Sequence, residues 1–322
     1  MPNMTDAPTE TAKLAPMSAL ALLLVIALSW GLSWPVNKAS LTYISPIWAV
    51  ATRLTVAAAA FGLIALLAGK LRLPPRQDLP MVASLAVLHM SLFAGLTSLG
   101  LVHVSAGRTV LLAYTTPLWV FPLAWLFMGE ALTAQRLIAI ASGMVGLALL
   151  INPLAIQWSD RGVLTGHLLI LLAAVCWAVS IVYTRMHRWT ASPFDLLFWQ
   201  LLLGAALTTA AAFAIEGWPV IDVTPHFIGL LLYGGTISTS LAYWALSTVN
   251  RSLPATTTAL GLLAVPVFGV VSSMVTLGES FDVLTLAALL LIVGGIAIGI
   301  VPKNGKPTLE SRPASSRGGP GA

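Results

Sequence analysis

Long apolar runs, each followed by a short polar turn, repeat along the whole chain. Ten of them are long enough to cross a bilayer: 18–37, 46–69, 81–102, 106–128, 133–151, 163–184, 194–215, 226–247, 254–277 and 282–301. A bilayer crossing takes roughly 20 mostly apolar residues. Hydrocarbon offers the backbone no partners, so runs this apolar close their hydrogen bonds internally as helices. The alternation of polar and apolar residues that marks a membrane barrel is missing. The pattern therefore predicts an all-α integral membrane protein of ten transmembrane helices.

The ten runs are two sets of five. Trp30 and Trp177, and Pro46 and Pro193, are each 147 residues apart. Pro117 with Gly129-Glu130, and Pro266 with Gly278-Glu279, are offset by 149. A repeat with an odd number of crossings must insert the second time upside down. The chain thus reads as two inverted five-helix repeats, 18–152 and 163–302, flanked by tails 1–17 and 303–322. Inverted repeats build two related gates around one midplane site in many secondary transporters.

The positive charges orient the bundle. With the N-terminus cytoplasmic, twelve bases fall on the inner side, among them Lys70, Arg72, Arg76, Arg136, Arg185, Arg188 and Arg251. Three fall on outer ends: Lys38, Arg108 and Arg161. Both termini are therefore expected inside, with Glu216, Asp222, Glu279 and Asp282 outside. Composition agrees: 58% hydrophobic, 8% charged, mean hydropathy +0.92. A soluble domain carries about 25% charged residues. The net charge of +5 resides in loops and a tail, so no nucleic-acid partner is expected. The lone Cys176 excludes an intrachain disulfide and reads as a packing residue in an apolar helix. Met1 to Pro16 lacks the features of a cleaved signal, and the polar C-terminal tail has little to bury.

Polar groups inside spans are the candidates for function. Trp30, Ser33, Trp34 and Asn37 share one face of the first helix, and Trp177, Ser180, Ile181 and Thr184 repeat the spacing in the sixth. These stripes face a cavity, or else the hydroxyls bond their own backbone and the indoles only pack. His89 lies mid-span in the third run, opposite Ser238 in the repeat. It is a proton carrier, or a neutral imidazole bonded across a helix interface. Arg53 lies about 10 Å inside the second span at about 1.5 Å per residue. Either it snorkels to the outer surface or it takes a substrate carboxylate. Arg108 opens the fourth span, as ligand or as a solvated helix start. Both cations lack an acid at their depth. Tyr114, Trp119, Tyr243 and Trp244 line a cavity or belong to interface belts. Gly129-Glu130 and Gly278-Glu279 read as turn punctuation, each Glu favouring the positive end of the helix that follows, and Thr133 as an N-cap.

No acid falls at midmembrane, and there is no Walker lysine motif, metal-ligand cluster or carboxylate relay. No cofactor is expected.

These residues together resemble the drug/metabolite transporter superfamily, in its ten-helix EamA-domain type. The resemblance covers roughly 18–302. It rests on the Trp that marks the first helix of each unit (Trp30, Trp177), on Arg53 in the second helix, and on the stretches 117–130 and 266–279. It implies an inner-membrane carrier with both termini cytoplasmic and a central cavity formed by the first four helices of each unit. The fifth and tenth helices would pack peripherally, where a homodimer could form. The implied function is export of small metabolites such as amino acids, not an enzyme. The alternatives are a multidrug or cationic-compound exporter, or a non-transport membrane protein. The expected partners are a small-molecule substrate and the lipid bilayer.

Overall fold

Proline sets the start of three spans. Pro46, Pro193 and Pro225 each sit in the first helical turn, where a missing N–H costs nothing. Ser45, Ser192 and Thr224 precede them as N-caps, and Thr224 Oγ1 accepts from Phe227 N at 3.1 Å. Glycine ends two others. Gly129 and Gly278 both adopt φ 66°, a left-handed C-cap that other residues resist. The repeat visible in the sequence is therefore repeated in cap geometry.

The computed structural model describes residues 15–151, 160–253, 258 and 261–300; these contain helices and no strand. Seven helices are long and apolar enough to cross a membrane: Met17–Ser40, Pro46–Leu67, Arg76–His103, Ala106–Met128, Arg161–Met186, Phe194–Glu216 and Val283–Ile300. Two shorter apolar helices, Ala134–Leu150 and Ala264–Leu277, supply the fifth and ninth spans. The eighth runs continuously through Pro225–Leu232, Tyr233–Leu241 and Ala242–Ser252. The start of the expected ninth span and the expected tail 303–322 lie outside the described residues, as does most of the tail 1–17.

Two irregularities recur in both repeats. Leu85–Phe93 in the third span and Tyr233–Leu241 in the eighth are π-helical, 148 positions apart. In the wider turns, hydroxyls bond carbonyls five residues back: Ser91 to Ala86, Thr239 to Gly234, and Ser240 to Gly235, at 2.7–3.0 Å. The fourth span breaks at Tyr114, between Ala106–Ala113 and Thr116–Met128. Leu263, 149 positions on, marks a matching turn before Ala264–Leu277.

Small residues set the packing. The fifth and tenth spans pair closely. Gly146 lies against Ile292 and the Ala288 carbonyl, Gly295 lies against Ser142, and Ser142 Oγ donates to Leu291 O at 3.0 Å. Gly31 of the first span lies against Phe268 of the ninth, and Gly62 of the second against Phe198 of the seventh. Close backbone approach is how helices gain contact where lipid supplies no hydrophobic drive.

Carboxylates then tie each repeat to the other. On the face away from the N-terminus, Glu216 accepts from Ser45 Oγ, Ile47 N and Trp48 N at 2.6–3.1 Å, capping the second span. Glu279 accepts from Ala106 N at 2.6 Å and Gly107 N at 3.0 Å, capping the fourth. On the opposite face, Asp78 accepts from Thr190 N and Ala191 N and lies 2.9 Å from His187 Nε2. These geometries correct the expectation for the two Gly-Glu turns. Glu279 serves a helix N-terminus 173 residues away instead of the helix it precedes. Glu130 pairs with Arg136 at 2.8 Å and with Arg185. The reason is exposure of donors: the helix after Glu279 has its own cap, because Asp282 accepts from Thr285 N and Oγ1.

Candidate functional site: a cavity between the repeats

A cavity with about 1120 Å³ of empty space, its open mouth included, lies between the two repeats. The first span contributes Trp30, Ser33, Trp34, Asn37 and Ser40, and the second Val50, Thr52, Arg53 and their neighbours Ala49 and Leu54. His89, Phe93, Thr97 and Leu101 of the third span, Tyr114 at the break in the fourth, and Trp177 of the sixth close the walls. The eighth adds Phe227, Gly234, Ser238 and Tyr243. The lining thus runs from midmembrane toward the face that holds Ser40 and Phe227, opposite the N-terminus. Among the described residues the lining includes no aspartate or glutamate.

An aromatic cluster forms the floor. His89 stacks on Trp177 with centroids 5.3 Å apart and planes 13° from parallel. Phe93 and Tyr114 pack on the same indole at 4.9 and 5.8 Å. Tyr243 meets Trp30 edge-on at 5.7 Å. Its hydroxyl lies 3.1 Å from His89 Nε2, and the imidazole tautomer decides which of the two donates. Trp30 Nε1 donates to Ser238 O at 2.9 Å, and Tyr233 OH to Ser29 O at 2.9 Å, so the first span is pinned to the π-helical segment of the eighth. Aromatic contacts of this kind add about 0.5–1.5 kcal/mol each beyond burial.

Arg53 stands above this floor. Its Nη1 donates to Asn37 Oδ1 at 2.7 Å, and its stem lies against Gly234, where a Cβ would meet Cδ at 3.1 Å. The guanidinium therefore bridges the first, second and eighth spans instead of snorkelling to the surface. Its Nε is buried without an acceptor, as is Thr97 Oγ1 on the same lining.

The structure brings together nine of the eleven residues singled out from the sequence: Trp30, Ser33, Asn37, Arg53, His89, Tyr114, Trp177, Ser238 and Tyr243. Two stand elsewhere. Ser180 is buried and donates to Trp177 O at 2.8 Å, the backbone-bonded alternative for a helical serine. Ser33 makes the same bond, to Trp30 O, while remaining on the lining. Arg108 lies off the cavity lining, within electrostatic reach of the Asp282 carboxyl. That carboxyl is held below its ordinary range first by its hydrogen bonds from Thr285 and further by Arg108. Among the described residues no ion pair joins Arg108 to an acid. Trp119 donates to Thr115 Oγ1 at 3.3 Å, and Trp244 lies partly exposed, off the cavity lining.

Two further expectations change. The resemblance implies a cavity wall from the ninth span, one of the first four helices of the second unit. Among the described residues it contributes nothing to the lining, because it packs on the first span through Phe268 and Gly269. Lys38, read only as an outer base, donates to the carbonyls of Leu101 and Val104, the usual place for a cation at a helix C-terminus. Sequence reasoning also passed over Phe93, Thr97 and Phe227. Phe93 lies four residues after His89, so helical spacing from the histidine is the signal that finds it.

The profile of the EamA-like transporter family matches residues 17–152 and again residues 164–300. The chain is 28% identical over 288 residues to the uncharacterized transporter YvbV of Bacillus subtilis, covering 89% of this chain and 93% of that one. It is 26% identical over 287 residues to a probable terminal-alkyne amino-acid exporter of Streptantibioticus cattleyicolor, covering 87% and 92%. A probable amino-acid metabolite efflux pump of Salmonella typhimurium is 26% identical over 295 residues, with 87% and 93% covered. A solved crystal structure at 18% identity superposes with a TM-score of 0.64 over 88% of this chain and 98% of its own, which shows the shared fold. One profile thus matches each half in turn, over the same two sets of helices that enclose the cavity: the chain is a multi-pass membrane protein and belongs to the EamA-like transporter family.

Proposed function

We propose that this protein is a secondary transporter that exports small metabolites such as amino acids by alternating access through the central cavity. The observation that carries the reading is the cavity itself. Both repeats wall it, it reaches one face, and the cluster of Trp30, His89, Phe93, Tyr114, Trp177 and Tyr243 closes it at midmembrane. A site closed on one side and approached from the other is what alternating access requires of each end state. The names of two relatives, an amino-acid exporter and an amino-acid metabolite efflux pump, support this class of cargo. The distribution of twelve inner and three outer bases supports an inner-membrane location with both termini in the cytoplasm, which makes this state outward-facing. A purely cationic cargo is disfavoured, because the lining includes no carboxylate to receive it.

Counterflow in proteoliposomes tests the reading. Vesicles loaded with an unlabelled amino-acid mixture should accumulate labelled amino acids faster with the protein than without it, and Trp177→Ala should abolish the gain. Folded protein that exchanges no solute of such a mixture, or exchanges it equally well as Trp177→Ala, refutes the proposal.

A further inference from the structure

We infer that Arg53 is the carboxylate anchor of the cavity, and that it sets specificity for small monocarboxylates carrying an apolar or aromatic tail. The inference rests on the transport reading above and deepens it by naming the group the site recognises. The argument starts from charge. Arg53 is a permanent cation on a lining that includes no acid. Among the described residues its one hydrogen bond goes to a neutral acceptor, Asn37 Oδ1. A cation held away from water without a counter-charge is costly, and an anion entering beside it lowers that cost.

Geometry says which anion. Asn37 occupies Nη1 only. Nε is buried with no acceptor, and no protein group among the described residues accepts from Nη2. The edge left without a protein acceptor is therefore the Nε–Nη2 pair, two parallel N–H donors whose spacing matches the two oxygens of a carboxylate. A second orphan, Thr97 Oγ1, is on the same lining and can add a hydroxyl donor. Gly234 lets the stem lie flat against the eighth span, and Asn37 fixes the rotation of the fork, so Asn37 is a positioning residue. The rest of the substrate meets Trp30, Phe93 and Trp177, whose rings suit an apolar or aromatic body.

Two probes of one shape isolate the carboxylate: N-acetylphenylalanine and its primary amide, neither of which carries an ammonium group. Binding to purified full-length protein is read by quenching of tryptophan fluorescence and by the shift in thermal midpoint. The acid should bind at least ~10-fold more tightly than the amide, the scale of a charge-assisted bidentate contact. Arg53→Gln should erase the difference. Arg53→Lys, which keeps charge without the fork, should restore part of it, and Asn37→Ala should shrink it. Trp177→Ala should weaken both probes alike. Equal binding of acid and amide, a preference that survives Arg53→Gln, or no binding of the acid at all overturns the anchor. If the amide equals the acid and Trp177→Ala weakens both, the anchor falls and the cavity reading stands. If Trp177→Ala weakens neither, the cavity reading falls as well.

Discussion

Glu130 and Glu279 occupy equivalent places in the two repeats, yet the structure predicts very different consequences for removing them. The Glu279 carboxylate accepts from Ala106 N at 2.6 Å and Gly107 N at 3.0 Å, two buried donors at the start of the fourth span. Glu279→Ala leaves both unsatisfied. Each costs about 1–3 kcal/mol, and the lost charge at a helix N-terminus adds up to about 1 kcal/mol. With partial relaxation toward solvent, a total of about 2–4 kcal/mol is expected. Glu279→Gln keeps one acceptor oxygen and loses the charge, so about 1–2 kcal/mol is expected. Glu130 instead makes partly exposed ion pairs with Arg136 and Arg185. Pairs of that kind are worth about 0–1 kcal/mol each, so Glu130→Ala should stay near 1 kcal/mol. The assay is thermal unfolding of the three variants in one detergent, followed by tryptophan fluorescence. At about 2 °C per kcal/mol for a chain of this size, Glu279→Ala should lower the midpoint by roughly 4–8 °C and Glu130→Ala by no more than about 2 °C. Equal shifts for the two alanine variants would refute the assignment of Glu279 as a cap between repeats.

Gly107→Ala places a Cβ 2.1 Å from Phe281 Cζ, so it should destabilise by about 1–3 kcal/mol, and Phe281→Ala should recover most of that loss in the double mutant. Transport should be either independent of a pH gradient or coupled through His89, because the cavity lining includes no carboxylate; gradient-driven uptake that survives His89→Ala excludes the histidine route. A periplasm-active reporter fused after Gly305 should stay silent, and a strong signal there would reverse the proposed orientation. Trp177→Leu should reduce counterflow more than ~10-fold relative to the native protein.

The residues most legible in the sequence are those whose signal is local and doubled. Trp30 and Trp177 share an offset, a helix face and a membrane depth, and all three survive into the cavity wall. Gly129 and Gly278 announce their turns because a left-handed C-cap needs glycine whatever surrounds it. Residues whose partners lie far along the chain are illegible. Nothing near Glu279 says that its oxygens serve Ala106, because an acid before a helix reads equally well as a cap for that helix. Asn37 and Arg53 each stood out alone, but their 2.7 Å bond exists only after the first two spans pack. The π-helical turns are silent for another reason. Hydropathy stays high through Leu85–Phe93, and the period of a helix barely changes when one residue is added to a turn.

Those turns, with the break at Tyr114, bear on how two like repeats come to line one cavity unequally. Inverted repeats of equal conformation would place equal surfaces on both faces, and a cavity could then open to both faces or to neither. The observed cavity is unequal. Among the described residues, four spans of the first repeat line it but just the sixth and eighth of the second, while the seventh and ninth pack against the second and first. The irregular segments sit where that inequality is decided. His89 and Phe93 lie in one π-helical stretch, Ser238 and Thr239 in the other, and Tyr114 at the break. In a π-helical stretch the backbone bonds five residues back instead of four, and Ser91, Thr239 and Ser240 already satisfy such carbonyls through their side chains. Returning one such stretch to α-helix turns the residues beyond it by about 100° with little change in the bond count. A repeat with that freedom at midmembrane can differ from its twin without differing in sequence pattern. The same positions therefore shape the floor of the cavity and allow the two halves to be unlike.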